Sequence, residues 1–345
     1  MPALDNVLPL LRCPLCATTL ARDGAAAAVR CGEGHSFDVA RQGYLSLLAG
    51  EGAHTGDTAE MVAARERVLA AGHFERLAAE VTAAVAERAP GVGERAAVAE
   101  RAQGVGEPAV GERAQGEPAS PACILDLGAG TGWYLARLLD ALPAARGLAV
   151  DVSKPALRRA ARAHPRLAAV ACDAWRPLPL RDGAVAAVLN VFAPRDAAEL
   201  ARVLAPGGLA VVVTPAPAHL GELVAPLGLL AIDARKDERL AERLSPHLDI
   251  VDRRELEWTV RLDHAAARDL AAMGPSAFHV SPAELDQRVA ALPQSLEVTA
   301  AVTLTLATAS APRARPPAPA AAACAAARRR SPPASRPPRS PGGRG

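Results

Sequence analysis

Aromatic side chains are scarce in this chain of 345 residues: three Trp, two Tyr and four Phe, 3% of the total. A core must therefore be built from aliphatic side chains, and the 50% apolar content supplies enough of them for a sizeable one. No apolar run approaches the roughly 18 residues of a membrane span, which excludes an integral membrane helix. Residues 1–12 lack a basic segment leading into an apolar stretch and cleavage site, so no secretory signal is read and a cytoplasmic location is expected. Lysine is almost missing: Lys154 and Lys236 are the only two, and nearly all positive charge is Arg. The Ala, Arg and Pro excess fits a GC-rich genome. Acids are absent from Pro312 to Gly345, where eight Arg occur, so this tail carries +8 and residues 1–311 carry −6 of the net +2. An acidic body disfavours broad electrostatic binding of nucleic acid.

Of six cysteines, three fall in the first 31 residues. The pattern is Cys13-x2-Cys16-x14-Cys31-x3-His35. Two ligands two residues apart can grip one ion from a tight turn, and a second pair beyond a hairpin completes a tetrahedron. Three thiolates and one imidazole leave no open position, the composition of a structural zinc site rather than a catalytic one. The alternative is three free thiols beside an unrelated His; disulfides are disfavoured without an export signal. Cys123 and Cys172 read as small core residues, and Cys324 fits no ligand pattern.

The chain divides into five stretches. Residues 1–50 form the zinc-binding module, too small for a core of its own. Residues 51–89 form a helical connector, with helical periodicity over 58–89. Residues 90–121 carry degenerate Gly-Glu-Arg-Ala repeats with no large apolar side chain beyond Val, and read as a flexible insertion. Residues 122–311 alternate strand and helix. Strands are expected at 122–127, 147–151, 168–172, 184–191 and 208–214, with helices near 133–142, 155–163 and 195–204. Strands that are apolar without alternation imply a sheet buried on both faces, hence parallel. Val298–Thr308 alternates more and reads as a late edge strand. Residues 312–345, Ala/Pro/Arg/Ser without pattern, read as disordered.

Asp126-Leu-Gly128-Ala-Gly130-Thr131-Gly132 follows the first of these strands and precedes a helix, as a cofactor loop does at the carboxyl edge of a parallel sheet. Asp151 ends the second strand, where a carboxylate can accept both ribose hydroxyls. Asp173 follows the third, within reach of an adenine amino group. Dinucleotide enzymes share the first two features, but Trp133 follows Gly132 and the third glycine of their fingerprint is missing. An acid at Asp126 would repel a pyrophosphate and suits a cofactor with a positive amino or sulfonium group. That points to S-adenosylmethionine rather than NAD; Asp126 as a helix cap is the alternative.

With these motifs in hand, the chain resembles the 23S rRNA (guanine-N1)-methyltransferases of the RlmA and tylosin-resistance type. The resemblance is carried by Cys13-Pro-Leu-Cys16, by Cys31-x3-His35-x-Phe37-Asp38, by Gly56-Asp57-Thr58-x-Glu60-Met61 and by Gly72-His73-Phe74. It continues through Leu125-Asp126-x-Gly128-x-Gly130, Asp151-Val-Ser-Lys154, Glu199-Leu200-x-Arg202-Val203, Thr214-Pro215-x-Pro217-x-His219 and Met273-Gly-Pro275. It covers about residues 10–90 and 122–310. The insertion and the Arg/Pro tail depart from the family pattern. The resemblance implies an α/β, class I S-adenosylmethionine-dependent methyltransferase with a mostly parallel sheet, plus an N-terminal zinc ribbon that helps grip RNA. It implies methyl transfer to N1 of a guanine in a hairpin loop of domain II of 23S rRNA, with structural zinc. One branch of the family is associated with resistance to tylosin and related macrolides, and the GC-rich composition leans that way. It also implies that Phe74, Gly130, Thr131 and His219 touch the cofactor, beside Asp126, Gly128, Asp151 and Asp173.

Guanine N1 carries a proton at neutral pH, so a proton sink is needed at some stage. Asp57 is a candidate, against a capping or structural role. Asn190, at the end of the fourth strand, is a candidate substrate-facing residue, against ordinary strand-end hydrogen bonding. Arg41 and Arg65 could bind phosphate. Trp175 and Phe192 could form a platform for a flipped base, or be core. A homodimer would let two zinc modules clamp one hairpin, though no residue requires it. A small-molecule methyltransferase on the same fold and a non-catalytic zinc-ribbon RNA-binding protein are the competing readings.

Overall fold

The computed structural model describes residues 2–24, 27–48, 56–89, 91–92, 121–233, 235–274 and 279–310. The tail at 312–345 and nearly all of the insertion at 90–121 lie outside these residues, as do Pro275, Phe278 and Cys324. Among the described residues no helix is long and apolar enough to cross a membrane.

The chain opens with a short helix, α1 (Pro2–Val7), and a 3-10 turn over Leu8–Leu10. Three short strands follow, β1 (Leu20–Arg22), β2 (Ala28–Cys31) and β3 (Ser36–Asp38), as an antiparallel sheet in the order β1-β2-β3. The next strand, β4 (Tyr44–Ser46), leaves this ribbon and joins the main sheet.

Eight strands make that main sheet. They are β4, β5 (Cys123–Leu127), β6 (Arg146–Asp151), β7 (Leu167–Ala171), β8 (Val185–Val191), β9 (Leu204–Pro215), β10 (Leu248–Leu262) and β11 (Leu296–Ala309). Their order is β10-β11-β9-β8-β5-β6-β7-β4. Strands β4 to β9 pair in parallel; β11 runs antiparallel to both β9 and β10. The five residues of β5 are all buried, as expected of a parallel strand covered on both faces. Its apolar side chains divide between two aliphatic cores: Ile124 faces one with Leu135, Leu139 and Leu157, while Leu125 and Leu127 face the other with Leu148, Val150 and Val188.

The helices begin where short polar side chains accept backbone N–H bonds. Thr58 caps α2 (Ala59–Ala70), Ser153 caps α5 (Lys154–Ala163), Asp196 caps α6 (Ala197–Val203), Asp263 caps α9 (His264–Ala272) and Ser281 caps α10 (Pro282–Ala290). The others are α3 (Glu75–Arg88), α4 (Trp133–Ala141), α7 (Gly221–Leu227) and α8 (Lys236–Leu244).

Two expectations are corrected. The helix over 58–89 is two helices, α2 and α3, because Gly72 at φ 80° turns the chain between them. The strand expected at the edge is internal: β11 lies between β9 and β10. The zinc-bearing segment packs into the main fold, where β4 pairs with β7. Leu4, Val7, Leu8 and Leu11 also share a core with Leu178, Leu180 and Cys172.

Candidate functional site

The ribbon brings Cys13, Cys16, Cys31 and His35 together, with all four donor atoms within 4.8 Å of one another. Cys13 Sγ and Cys31 Sγ lie 3.6 and 3.4 Å from His35 Nδ1, and Cys16 Sγ lies 3.6 Å from Cys31 Sγ. A tetrahedron with zinc bonds of about 2.3 Å to sulfur and 2.0 Å to nitrogen has edges of about 3.5–3.8 Å. The donor set thus has the size and chemistry of a zinc site, with every position taken by protein. The remaining described cysteines, Cys123 and Cys172, are buried away from it, and burial pushes both thiols up to about 12.

A second site lies at the carboxyl edge of the parallel strands, where a cavity of about 1330 Å³ opens. That exceeds the ~300–1,000 Å³ typical of a single small-ligand pocket, so a cofactor leaves room for part of a second reactant. Its floor is the loop after β5. Gly128 N–H and Ala129 N–H both donate to Val150 O, at 2.9 and 3.0 Å. Gly128 holds φ 74° with Ala193 directly against it, and Gly130 holds φ 54° beneath Arg65, so neither has room or backbone freedom for a side chain.

Asp151 fixes this loop to the next strand. One carboxylate oxygen accepts from Gly130 N–H and the other from Ser153 N–H, both at 2.8 Å. Asp173 is buried too and accepts from Trp175 N–H at 2.9 Å. Asp126 differs from both. Its side chain is 2% exposed, and no ion pair or hydrogen bond from a described residue meets it. Burial, and secondarily the charge of Asp151, push its carboxyl up to about 7. A buried carboxylate that faces a cavity with no cation paired to it can be matched by one from the ligand. The ammonium group of S-adenosylmethionine carries the charge that would match it, and Asp151 retains lone pairs that could accept ribose hydroxyls.

Phe74, in the break between α2 and α3, is buried against the cavity. Its ring meets Phe192 and Trp258 edge-on at 6.5 and 6.0 Å and His219 at 6.4 Å. His219 accepts from Ala301 N–H through Nδ1 at 3.2 Å, which assigns the ring proton to Nε2. Burial, assisted by Lys236, drives this imidazole down to about 4, so it is neutral at physiological pH. Phe192 is 43% exposed and sits at φ 54°, a conformation a bulky residue adopts only where its surroundings enforce it. Trp175 is 60% exposed at the same cavity. Neither aromatic is core.

Asp57 and Asn190 both make the structural contacts that were the alternative to a catalytic role. The Asp57 carboxylate is ion-paired with Arg65, whose other nitrogen donates to Met273 O at 2.9 Å. Ser153 Oγ–H donates to Asp57 O at 2.7 Å. Asp57 therefore holds a latch over the glycine loop rather than standing as a free base. Asn190 is fully buried and does not line the cavity. Its amide donates to Leu127 O at 3.2 Å and Pro194 O at 3.0 Å, tying β5 to the turn after β8, so its place is behind the site.

Sequence reasoning missed other cavity residues. Trp258 stands apart from every motif in sequence, yet its indole N–H donates to His73 O at 3.0 Å and its ring backs Phe74. Arg195, Lys236, Arg239 and Arg243 also line the cavity. The signal for the last three was their i, i+3, i+7 spacing, which puts them on one helix face.

Two family models match the chain. One described as a methyltransferase domain matches residues 124–208, and one described as the RlmA N-terminal zinc ribbon matches residues 11–51. A putative 23S rRNA (guanine-N1)-methyltransferase of Micromonospora griseorubida is 50% identical over 302 residues, 87% of this chain and 97% of that protein. The 23S rRNA (guanine(748)-N1)-methyltransferase of Streptomyces fradiae is 47% identical over 301 residues, again 87% and 97%. A putative enzyme of the same description from Bacillus subtilis is 29% identical over 62% of this chain and 67% of its own length.

Proposed function

The chain belongs to the 23S rRNA (guanine-N1)-methyltransferases, and from that premise we propose that it methylates N1 of a guanine in the domain II hairpin loop of 23S rRNA. The observation that carries the reading is the unmatched, buried Asp126 carboxylate at a glycine-rich strand edge, in a chain that also holds a closed Cys3His cluster. S-adenosylmethionine, when bound, supplies a methyl group already activated by its sulfonium charge.

The protein's own residues bind and align. Asp126 receives the cofactor ammonium, Asp151 the ribose and Asp173 the adenine edge, on the loop of Gly128, Gly130 and Thr131. Phe74, backed by Trp258, walls the methionine end. Neutral His219 offers an Nε2–H donor, the group that suits a guanine O6, and exposed Phe192 offers a face on which the base can stack. Alignment of N1 with the methyl carbon is then the main catalytic task. Zinc holds the ribbon and takes no part in transfer. An rRNA substrate favours a cytoplasmic location, and a homodimer would set two ribbons about one hairpin; the mass in solution tests the latter.

Incubation with labelled S-adenosylmethionine and unmodified 23S rRNA, followed by primer extension, tests the function. A methyl on N1 blocks the pairing edge of guanine and stops reverse transcription, and guanine 748, the target named for the Streptomyces fradiae relative, is the first position to read. Labelling of small metabolites without RNA would overturn the proposal in favour of a small-molecule enzyme.

A further inference from the structure

The body of the protein is acidic, −6 over residues 1–311, yet one wall of the cavity is built from cations. Helix α8 carries Lys236, Arg239 and Arg243 on the face that lines the cavity, while its acids Glu238 and Glu242 do not line it. The helix is held in this rotation by Asp237. Its carboxylate accepts from Thr214 Oγ1–H at 3.1 Å, Thr303 Oγ1–H at 2.6 Å and Arg253 at 2.8 Å, fastening the first turn to β9, β10 and β11. Arg195, in the turn after β8, adds a fourth cation from the facing side.

The acids nearby are already engaged. Asp233 pairs with Arg239 at 2.9 Å, and Asp196 accepts from Ala198 N–H at 2.9 Å as a helix cap. Among the described residues no ion pair is formed by Arg195, Lys236 or Arg243. The buried Arg195 Nε has no partner at all. Burial, and then Arg243, pull Arg195 down to about 10; burial, and then Arg195, lower Lys236. Three cations lining one cavity without ion-pair partners form a site for an anion.

We propose that Arg195, Lys236 and Arg243 seat the backbone phosphates next to the target guanine, inside the same cavity that holds the methyl donor. The proposal rests on the RNA-methyltransferase reading above. Seven residues of helix span about 10 Å, so α8 reaches beyond a single phosphate of one strand. The arrangement also accounts for how an acidic body can hold RNA: within residues 1–311, whose net charge is −6, these cations gather on the wall of the cavity that holds the methyl donor.

The test compares wild type with the double variant Lys236→Gln/Arg243→Gln and with Arg235→Gln. Arg235 adjoins the same helix but does not line the cavity. Binding of a domain II fragment is measured across salt concentrations, with S-adenosylmethionine affinity measured alongside. Losing two contacts to single-stranded phosphates lowers the slope of log K against log salt by about 1.4. RNA affinity at about 0.15 M salt falls at least tenfold, while cofactor affinity and the Arg235→Gln variant stay at wild-type values. Both target side chains are exposed, and retained cofactor binding reports the fold. An unchanged slope in the double variant, with wild type still methylating the fragment, overturns the phosphate wall and leaves the function standing. A matching loss of cofactor affinity overturns it too, by assigning the cations to the cofactor. Wild type that neither binds nor methylates the fragment fails the functional reading and this assignment together.

Discussion

The ribbon and the strand-edge cavity both gather polar groups, but to opposite effect. In the ribbon, Cys13, Cys16, Cys31 and His35 stand at the edge lengths of one tetrahedron and leave nothing for an outside ligand. In the cavity, Asp126 is buried without a counter-ion, and among the described residues Arg195, Lys236 and Arg243 form no ion pair. A set of polar groups that satisfies itself through one ion stabilises a fold; a set left unsatisfied is held in place by the fold and awaits a ligand.

The sharpest way to break that contrast is at the ribbon. Cys13→Ser leaves three ligands, and bound zinc by elemental analysis is expected to fall well below one per chain, with loss of the ribbon's protected amides. Because Leu4, Val7 and Leu11 pack on the main core, thermal stability falls as well. Stoichiometric zinc in this variant would refute the ligand set.

At the cavity, Asp126→Asn is expected to act in two directions. Removing one partner of a buried charge pair costs about 2–5 kcal/mol, so S-adenosylmethionine binding should weaken at least thirtyfold by calorimetry. The cofactor-free protein should instead melt higher. Its carboxyl titrates near 7 in the fold, above the ordinary carboxylate value, so ionising it works against folding as pH rises from about 4 through 7. A variant that binds normally would remove Asp126 from the site.

The same raised value sets a pH dependence. Binding the cofactor ammonium requires the carboxylate, so below about pH 7 affinity should drop by up to tenfold per unit and binding should release a proton; above 7 it should level off. Proton release is read from calorimetry in buffers of different ionisation enthalpy, and a flat profile from pH 5.5 to 8 would contradict the assignment. The smallest effect is expected behind the site: Trp258→Phe loses the bond to His73 O, about 1 kcal/mol, and should lower cofactor affinity only a few-fold.

The sequence made the parallel strands and the donor sets legible because those signals are local. The β5 run from Cys123 to Leu127 has no polar face to hide, and four ligands at fixed spacing need no knowledge of the fold. The rest depends on pairing across distance. β10 alternates charged residues with Leu256, Trp258, Val260 and Leu262, and an amphipathic edge strand of that kind competes poorly for notice with buried runs. Without β10 in view, β11 has no outer neighbour and reads as the edge. The sequence leaves Asp57 open between a base and a structural acid because Arg65, eight residues on, gives no sign in sequence of folding back onto it. Asn190 sits where substrate-facing residues are expected, but its rotation, inward to Leu127 O and Pro194 O, is settled only by packing.

The short strand Tyr44–Ser46 bears on how the molecule is made. Its partner residues begin at Ala169, about 125 positions later. At roughly 5–20 residues per second of synthesis, the ribbon's four ligands emerge some 6–25 s before the strand against which β4 will lie. Metal capture can therefore precede closure of the sheet, and until β4 docks, β7 presents the open backbone edge on which chains aggregate. Zinc supply during translation should thus govern the soluble yield of the whole enzyme.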